Sequence, residues 1–167
     1  MRTQRRGTAA FAVCGSFCTL GTAAAAAEQL VRQGWDLLPV MSFAAAGLNT
    51  RFGRAEEWRR RLAEITGNPV LDTLQAVEPL GPRHLAQALV IAPCTGATLA
   101  RLAAGLSDTP VTLAAKSLLR VGCPVVAAVS TNDGLAASAE NIARLLQRKH
   151  YFFVPFGQDD PVQKPQS

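Results

Sequence analysis

Short apolar runs alternate along this sequence with stretches in which apolar residues recur at helical spacing. An apolar run of four to six residues without polar alternation is typical of a strand that is covered on both faces of a parallel sheet. Such runs occupy residues 9–14, 37–41, 89–92, 124–129 and 151–154, and residues 70–71 are a shorter candidate. The pattern therefore predicts six strands, with the run at 89–92 halted by Pro93.

Helices are predicted between these strands from spacing and from start and stop residues. Gly34, Gly67 and Gly122 each follow a helical stretch at the position where a left-handed residue ends a helix. Thr109 before Pro110 is typical of an N-cap with proline in the first turn. The predicted helical stretches cover residues 19–33, 56–65, 99–106, 110–119 and 135–146.

Strands that alternate with helices predict a parallel sheet joined by right-handed crossovers. The fold class is therefore α/β, a three-layer α/β/α sandwich with a parallel Rossmann-like sheet, and we expect the strand order 3-2-1-4-5-6. The 167 residues allow one domain over the whole chain, with residues 1–7 and 157–167 as extended or flexible ends.

The beginning of the chain has a second interpretation. Three arginines in residues 2–6 precede an uncharged stretch that ends in alanines before Glu28, which is the outline of a secretory signal. The stretch is interrupted by glycines, serine and threonines, and its strongly apolar run is only six residues long. We therefore expect a strand, a glycine turn and an alanine-rich helix here, and neither a signal nor a membrane span.

Composition excludes several classes of protein. The chain has 17 basic and 12 acidic residues, a net charge of +5, yet only 17% of its residues are charged, which excludes general disorder. The basic residues are not interleaved with aromatic ones that could stack on bases, so we expect no nucleic-acid partner. The four cysteines form no C-x-x-C pair and only two histidines accompany them, so we expect no metal site.

Glycines and hydroxyls follow the predicted first and fourth strands, at the edge where a parallel sheet binds its ligand. In the expected strand order these two strands are neighbours. The residues that follow them include Gly15, Ser16, Phe17, Thr95, Gly96 and Thr98. Hydroxyls and free N–H groups at a helix start are what a phosphate monoester requires, and Ser42 after the second strand adds a third hydroxyl.

These segments lack the three glycines of a dinucleotide fingerprint and the Gly-Lys-Ser/Thr of a triphosphate loop, which disfavours NAD and ATP. A mononucleotide remains. The same glycines and hydroxyls could also do no more than shape turns and cap helices, and local sequence leaves both interpretations open.

Residues 93–108, which begin Pro-Cys-Thr-Gly-Ala-Thr and end Ala-Ala-Gly-Leu-Ser-Asp, resemble a known signature. It is the Pro-x-Ser/Thr-x-Asn-Thr…Lys-x-Ala-x-Gly-x-x-Asp signature of the homo-oligomeric flavin-containing cysteine decarboxylases. Within that superfamily, the blocks at residues 50–58, 78–82, 130–133 and 151–161 are similar, in order, to those of the dipicolinate synthase B subunits. The resemblance covers nearly the whole chain.

The resemblance implies an FMN-type site. It places the phosphate on Ser16, Ser42 and Thr95 and the flavin ring near Ser130, Thr131, Asn132 and the following aspartate. Two departures bear on this site. Ala97 stands where the signature has asparagine, and Ala104 replaces a second asparagine of the family at a position that the signature leaves open, while the basic residue is kept as Arg101. The C-terminal helix of the family also has no counterpart in these residues, so we expect either an exposed apolar seam or a chain that is shortened at its C-terminus.

The resemblance further implies the activity of a B subunit of dipicolinate synthase. Such a subunit forms pyridine-2,6-dicarboxylate by oxidation of a cyclic dihydrodipicolinate-type precursor, in the cytoplasm of the mother cell of a sporulating bacterium. Its partners would be an A subunit that binds NAD(P) and further copies of the chain itself. The alternatives are a structural subunit without chemistry and a flavin-dependent decarboxylase, which is disfavoured because no histidine lies at the end of the first helix.

Among single residues, two arginines are candidates for binding a dicarboxylate substrate. Arg51 and Arg54 lie in the loop after the second strand, where guanidinium groups could form bidentate contacts, although such charges often lie on a solvated face. Cys14 and Cys94 fall beside the predicted site, but simple packing is favoured over a nucleophilic role. No residue is assigned as catalytic.

Overall fold

The sheet has five parallel strands in the order β2-β1-β3-β4-β5 in a computed structural model that describes residues 5–157 and residue 162. The strands are β1 (Gly7–Val13), β2 (Trp35–Met41), β3 (Leu89–Cys94), β4 (Val125–Val129) and β5 (Tyr151–Phe153). The helices are α1 (Leu20–Arg32), α2 (Phe43–Gly47), α3 (Ala55–Thr66), α4 (Leu74–Val77), α5 (Gly96–Ala104), α6 (Pro110–Leu119) and α7 (Ala137–Leu146). Two 3₁₀ turns cover Phe17–Thr19 and Glu78–Leu80.

The central strand, β1, is buried on both faces, as its unbroken apolar run predicts. Phe11 packs in one cluster with residues of α1 and α3, including Leu20 and Leu62. The alternate position Ala12 packs in a second cluster with residues of α5 and α6, including Leu99. Helices therefore cover both faces of the sheet, and the predicted three-layer sandwich is confirmed.

The strand order agrees with the prediction except at one edge. Residues 70–71, predicted as the third strand, form a single parallel bridge between Leu71 and Val40. Two apolar residues are too few to extend this pairing, so the sixth strand is reduced to that bridge. Without it, the predicted order becomes the observed one.

Pro93 does not end its strand, and that expectation is wrong. The pairing of β3 with β4 shifts register between Ile91 and Cys94, and the irregularity falls where proline lacks an N–H donor. The carbonyl of Pro93 still accepts a hydrogen bond from the Cys14 N–H at 3.2 Å. The strand therefore carries Cys94 to the carboxyl edge of the sheet.

The predicted helices are confirmed, but three leucines that were predicted on their apolar faces are exposed. Leu106 lies beyond the end of α5 and is exposed, and Leu135 and Leu146 are also exposed and do not belong to the core face. The short helices α2 and α4 were not predicted, because four or five residues are too few to show periodicity. Among the described helices, none is long and apolar enough to cross a membrane.

An apolar strip is exposed at the β5 edge of the sheet. Phe152 in β5 is 55% exposed, and Val154 and Phe156 just after it are also exposed. That this strip is the seam left by a missing C-terminal helix stays a prediction. Most of the ends, residues 1–4, 158–161 and 163–167, lie outside the described residues, so the predicted character of the ends stays a prediction.

Candidate functional site at the carboxyl edge of the sheet

Three hydroxyls meet at the carboxyl edge, where the chain leaves β1 and β4. The Ser16 and Ser130 oxygens are 2.8 Å apart, and the Thr19 hydroxyl lies 3.1 Å from that of Ser130. Thr19 also donates to the Ser16 carbonyl at 2.9 Å. Because β3 lies between β1 and β4, the two loops meet beyond its end. We call Ser16, Thr19 and Ser130 the hydroxyl cluster.

A second group of polar side chains lies at the start of α5. The Thr98 hydroxyl donates to the Cys14 sulfur at 3.2 Å and lies 3.0 Å from the Thr95 hydroxyl. Since the Thr98 hydrogen is directed to sulfur, the Thr95 hydroxyl is the donor of that second contact. The Thr95 oxygen also caps α5 by accepting from the Thr98 N–H at 3.3 Å.

The first N–H groups of α5 are available to a ligand. Among the described residues, nothing accepts a hydrogen bond from the backbone N–H groups of Gly96 and Ala97. Such groups at a helix start carry a partial positive charge. Thr95 caps the helix, and the N–H groups of Gly96 and Ala97 are donors that could bind an anion, so their part in a ligand site stays a prediction.

Gly96 packs closely against the segment after β4. A Cβ atom at this position would lie 2.9 Å from the Ser138 hydroxyl and 3.0 Å from that of Thr131. Both hydroxyls donate to one oxygen of Asp133. The start of α5 is therefore in contact with residues 131–138, the loop after β4 and the start of α7, through a residue without a side chain.

The Asp133 carboxyl is held in its ionised form. Hydrogen bonds from Thr131 and then from Ser138 lower the pKa of this carboxyl. A lowered pKa in the folded state stabilises the loop above the ordinary aspartate range, and this contribution is lost as pH falls through the lowered pKa. Because the Thr131 hydrogen goes to Asp133, the Thr131 hydroxyl can accept a hydrogen bond from a ligand but cannot donate one to it.

The other predicted residues lie in less direct positions. Ser42 caps α2 by accepting from the Ala45 N–H at 3.2 Å, and no described contact joins it to Ser16. A Cβ atom on Gly15 would lie 3.2 Å from that of Ala44 and 3.5 Å from the Phe17 ring, so the turn after β1 is tight. Asn132 is exposed within its loop.

Arg51 and Arg54 lie apart from the hydroxyl cluster as far as described contacts show. The Arg51 guanidinium lies 4.8 Å from the centre of the Phe52 ring. Arg54 precedes α3, and its N–H donates to the Glu57 carboxylate at 2.9 Å. Neither guanidinium forms an ion pair with a described residue. Their role in binding substrate stays a prediction.

Sequence reasoning missed two residues of this edge, Thr19 and Ser138. Thr19 sits directly before the apolar run of α1, a position where a hydroxyl is expected to cap the helix, and this signal could have found it. Ser138 lies among alanines and small polar residues with no local signal. Its partner Gly96 is 42 positions away, so only the fold brings the two together.

An apolar slot opens beside the hydroxyl cluster. It has a volume of about 230 Å³ and is lined by Thr19, Thr22, Ala23, Ala26, Ala92, Pro93, Ala128, Val129 and Ser130. Small side chains on α1, β3 and β4 leave this space, and two of the cluster's hydroxyls line it. An apolar slot beside hydroxyls and free N–H groups fits a mononucleotide whose ring is flat and apolar.

The cysteines at this edge are packing residues. Burial raises the pKa of the Cys14 thiol to about 11 and that of Cys94 well above its usual range. Since the thiolate is the reactive form, both thiols are inert near neutral pH. Cys18, by contrast, is exposed.

We therefore expect alkylation of the native protein with iodoacetamide at pH 7.5 to label Cys18 well before Cys14 and Cys94. Mass spectrometry of peptides over time measures the order, and the chain in urea, where all four cysteines label, is the control. Labelling of Cys14 as fast as Cys18 would contradict the packing role.

A protein-family model and a relative of known name both match most of this chain. The family model described as Flavoprotein matches residues 2–164. The chain is 42% identical over 157 residues to the dipicolinate synthase B subunit of Bacillus subtilis (strain 168), a match that covers 94% of this chain and 78% of that protein.

Two solved structures are similar. The crystal structure of the dipicolinate synthase B subunit from Bacillus halodurans C has a TM-score of 0.85 at 37% identity, over 99% of this chain and 84% of the other. The Burkholderia xenovorans DmrB structure in complex with FMN, described as a cubic protein cage for redox transfer, has a TM-score of 0.71 at 23% identity, over 90% and 88% of the two chains. The second likeness carries the fold alone.

Proposed function

The chain belongs to the flavoprotein family, among the dipicolinate synthase B subunits, and on that premise we propose that it is an FMN-binding oxidoreductase subunit. Its reaction would be the oxidation of a cyclic dihydrodipicolinate-type precursor to pyridine-2,6-dicarboxylate during sporulation, in the cytoplasm of the mother cell. The observation that carries the proposal is the hydroxyl cluster beside an apolar slot at the carboxyl edge.

In this proposal the phosphate lies between Ser16 and the first turn of α5. The Ser16 hydroxyl and the N–H groups of Gly96 and Ala97 would donate to its oxygens. The ionised Asp133 carboxylate would lie 3.4 Å from a Cβ atom on Gly96 and would repel a phosphate placed against residues 131–138.

The slot would hold the ring. Its lining of small residues on α1, β3 and β4 excludes water from one ring face, and the Ser130 and Thr19 hydroxyls can contact the ring edge. When bound, the flavin would supply the capacity to accept a hydride from the substrate. The protein's part is to position the ring and the substrate against each other.

The proposal includes a partner that binds the nicotinamide. This chain has no dinucleotide fingerprint, so NAD(P) would be bound by the A subunit of the synthase. Further copies of the chain would cover the exposed apolar strip at Phe152, Val154 and Phe156, because such strips are typical of association surfaces. The partner and the oligomer are both parts of the proposal.

An absorption titration of the purified chain with FMN tests the first step. Bound flavin gives structured bands near ~450 nm, a property of the cofactor itself. The second step adds the A subunit, NADP and the dihydrodipicolinate precursor, and measures pyridine-2,6-dicarboxylate. Absence of flavin binding with full synthase activity would overturn the FMN part of the proposal and leave the assignment to the synthase in place.

A structural subunit without chemistry is the second candidate. Ala97 is exposed at the start of α5, where the superfamily signature has an asparagine. An amide there could donate to a flavin or to a carboxylate, and alanine cannot. A synthase that needs this chain for assembly but shows no flavin signal would favour this second function.

Variants of Arg51 and Arg54 test where the substrate binds. A dicarboxylate needs positive charge, and both guanidinium groups are free of ion pairs with the described residues. Arg51→Ala and Arg54→Ala should each lower kcat/KM of the complex by roughly tenfold or more, because a charged hydrogen bond is worth about 1.5 to 3 kcal/mol. Binding of the A subunit should not change.

The matched control for these variants is Arg83→Ala, which removes an exposed arginine from the loop before β3. Steady-state kinetics with the reconstituted complex measure all three. If both loop variants form pyridine-2,6-dicarboxylate at the rate of the unmutated chain, the loop does not hold substrate.

A further inference from the structure

A basic cavity lies at the edge of the sheet opposite the hydroxyl cluster. It has a volume of about 480 Å³ and is formed where α5 and α6 end and β5 begins. Helix α5 starts at the hydroxyl edge with Gly96, and its nine residues, at about 1.5 Å each, place the cavity roughly one helix length away. The cavity is therefore separate from the proposed flavin site.

The walls of this basic cavity combine an apolar surface with cations. Its lining residues are Leu102, Gly105, Leu106, Thr112, Lys116, Leu119, Arg120, Arg148, Lys149, His150 and Tyr151. Four of them are lysine or arginine and none is acidic. A volume of this size lies within the range of pockets for small organic ligands.

Most of these basic side chains have no partner among the described residues. Among the described residues, the side chains of Arg120, Lys149 and His150 form no hydrogen bond or ion pair. Lys116 contacts only the Ser107 hydroxyl, at 3.5 Å. Arg148 is the exception, since it donates to two carbonyls at the end of α5.

The negative C-terminal ends of nearby helices offset only part of this positive charge. Three helices, α5, α6 and α7, end around the cavity, and each end carries about −0.5 of a unit charge. Four full positive charges therefore leave an excess of roughly 2.5. The acids nearby in sequence are already paired, Asp108 with Arg101 and Glu140 with Arg144.

We infer that the basic cavity binds a small organic anion that carries two or more carboxylate or phosphate charges on an apolar or aromatic body. Leu102, Leu119 and the Tyr151 ring would contact the body, and Lys116, Arg120 and Lys149 would pair with its charges. Cations set around a concave apolar floor favour a small molecule over a flat polyanion such as duplex DNA. This inference does not depend on the proposed function.

The test measures binding to the full chain by NMR titration in 150 mM salt with three probes. Two probes are aromatic dianions, pyridine-2,6-dicarboxylate and adenosine 5′-monophosphate, and the third is inorganic phosphate. At least one aromatic dianion should bind saturably and shift the Leu102, Leu119 and Tyr151 signals, with inorganic phosphate at least tenfold weaker. The probe that binds tighter identifies the source of charge as carboxylate or phosphate.

A double variant, Arg120→Ala with Lys149→Ala, should weaken that binding at least tenfold. The matched control, Arg32→Ala with Arg60→Ala, removes the same charge from α1 and α3 on the other face of the sheet. Ser16→Asp, at the hydroxyl edge, should leave this binding unchanged. The double variant should in turn leave FMN binding unchanged, so the two sites are tested separately.

Three results would overturn the inference. One is the absence of saturable binding by either aromatic dianion. Another is binding that survives the double variant or is lost with Ser16→Asp. The third is binding of a short DNA duplex without binding of the small anions, which would make the cavity part of a polyanion surface.

Discussion

Replacing Gly81 by alanine should lower the free energy of unfolding by about 3 kcal/mol or more. A Cβ atom at Gly81 would lie 1.8 Å from the Ser117 carbonyl oxygen in α6, an overlap with backbone that no rotamer can relieve. The Gly81 N–H donates to the Ser117 hydroxyl at 2.9 Å, and that hydroxyl donates to the Glu78 carbonyl at 2.6 Å. Any shift of α6 that makes room breaks both bonds.

Urea denaturation measures this effect, and Gly21→Ala is the matched control. Nothing lies within 4 Å of a Cβ atom at Gly21, in the first turn of α1, so alanine there should leave stability unchanged or raise it by up to ~1 kcal/mol. Backbone strain does not enter at Gly81, whose φ of −78° suits any residue. A Gly81→Ala protein as stable as the parent would show that this contact is loose.

Ser16→Asp should weaken FMN binding about 30-fold, which corresponds to roughly 2 kcal/mol. The aspartate would place a negative charge beside Ser130 on the side proposed for the phosphate, and like charges repel in a partly desolvated site. Ser16→Ala removes the hydroxyl without adding charge and should cost less. Flavin fluorescence titration measures all these affinities.

Ser107→Asp is the matched control for the added charge, because Ser107 lies beyond the end of α5, at the opposite edge of the sheet. It should bind FMN as the parent chain does. Equal FMN affinity in Ser16→Asp and Ser107→Asp would remove Ser16 from the phosphate site.

The strand order could be predicted because burial and chain direction leave few choices. Residues 9–14 contain no polar residue, as expected for a strand covered on both faces, and the order typical of a Rossmann-like sheet then places this first strand beside the second and the fourth. The predictions that failed concern short local segments. The position of Pro93 inside β3 could not be predicted from that strand alone. Proline lacks an N–H donor, and this missing donor falls at a register shift in the pairing with β4.

The candidate site could be predicted only as an edge of the sheet. The sequence places hydroxyls after the strands, but the contact of Ser16 with Ser130 joins residues 114 positions apart. Whether a hydroxyl faces a ligand or its own helix also depends on packing. Thr95 and Ser42 are occupied as helix caps, and only their hydrogen bonds reveal it.

The central strand of this sheet is also the first of its five described strands to leave the ribosome. One edge of β1 pairs with β2, beginning with Gly7 and Trp35. The other edge pairs with β3, and this pairing cannot form until Leu89, the partner of Ala10, has been synthesised. At about 5 to 20 residues per second, the nascent chain exposes one full edge of its most apolar strand for several seconds. An open strand edge is a template for pairing with other chains, so production of this protein should be sensitive to chaperone supply and to synthesis rate.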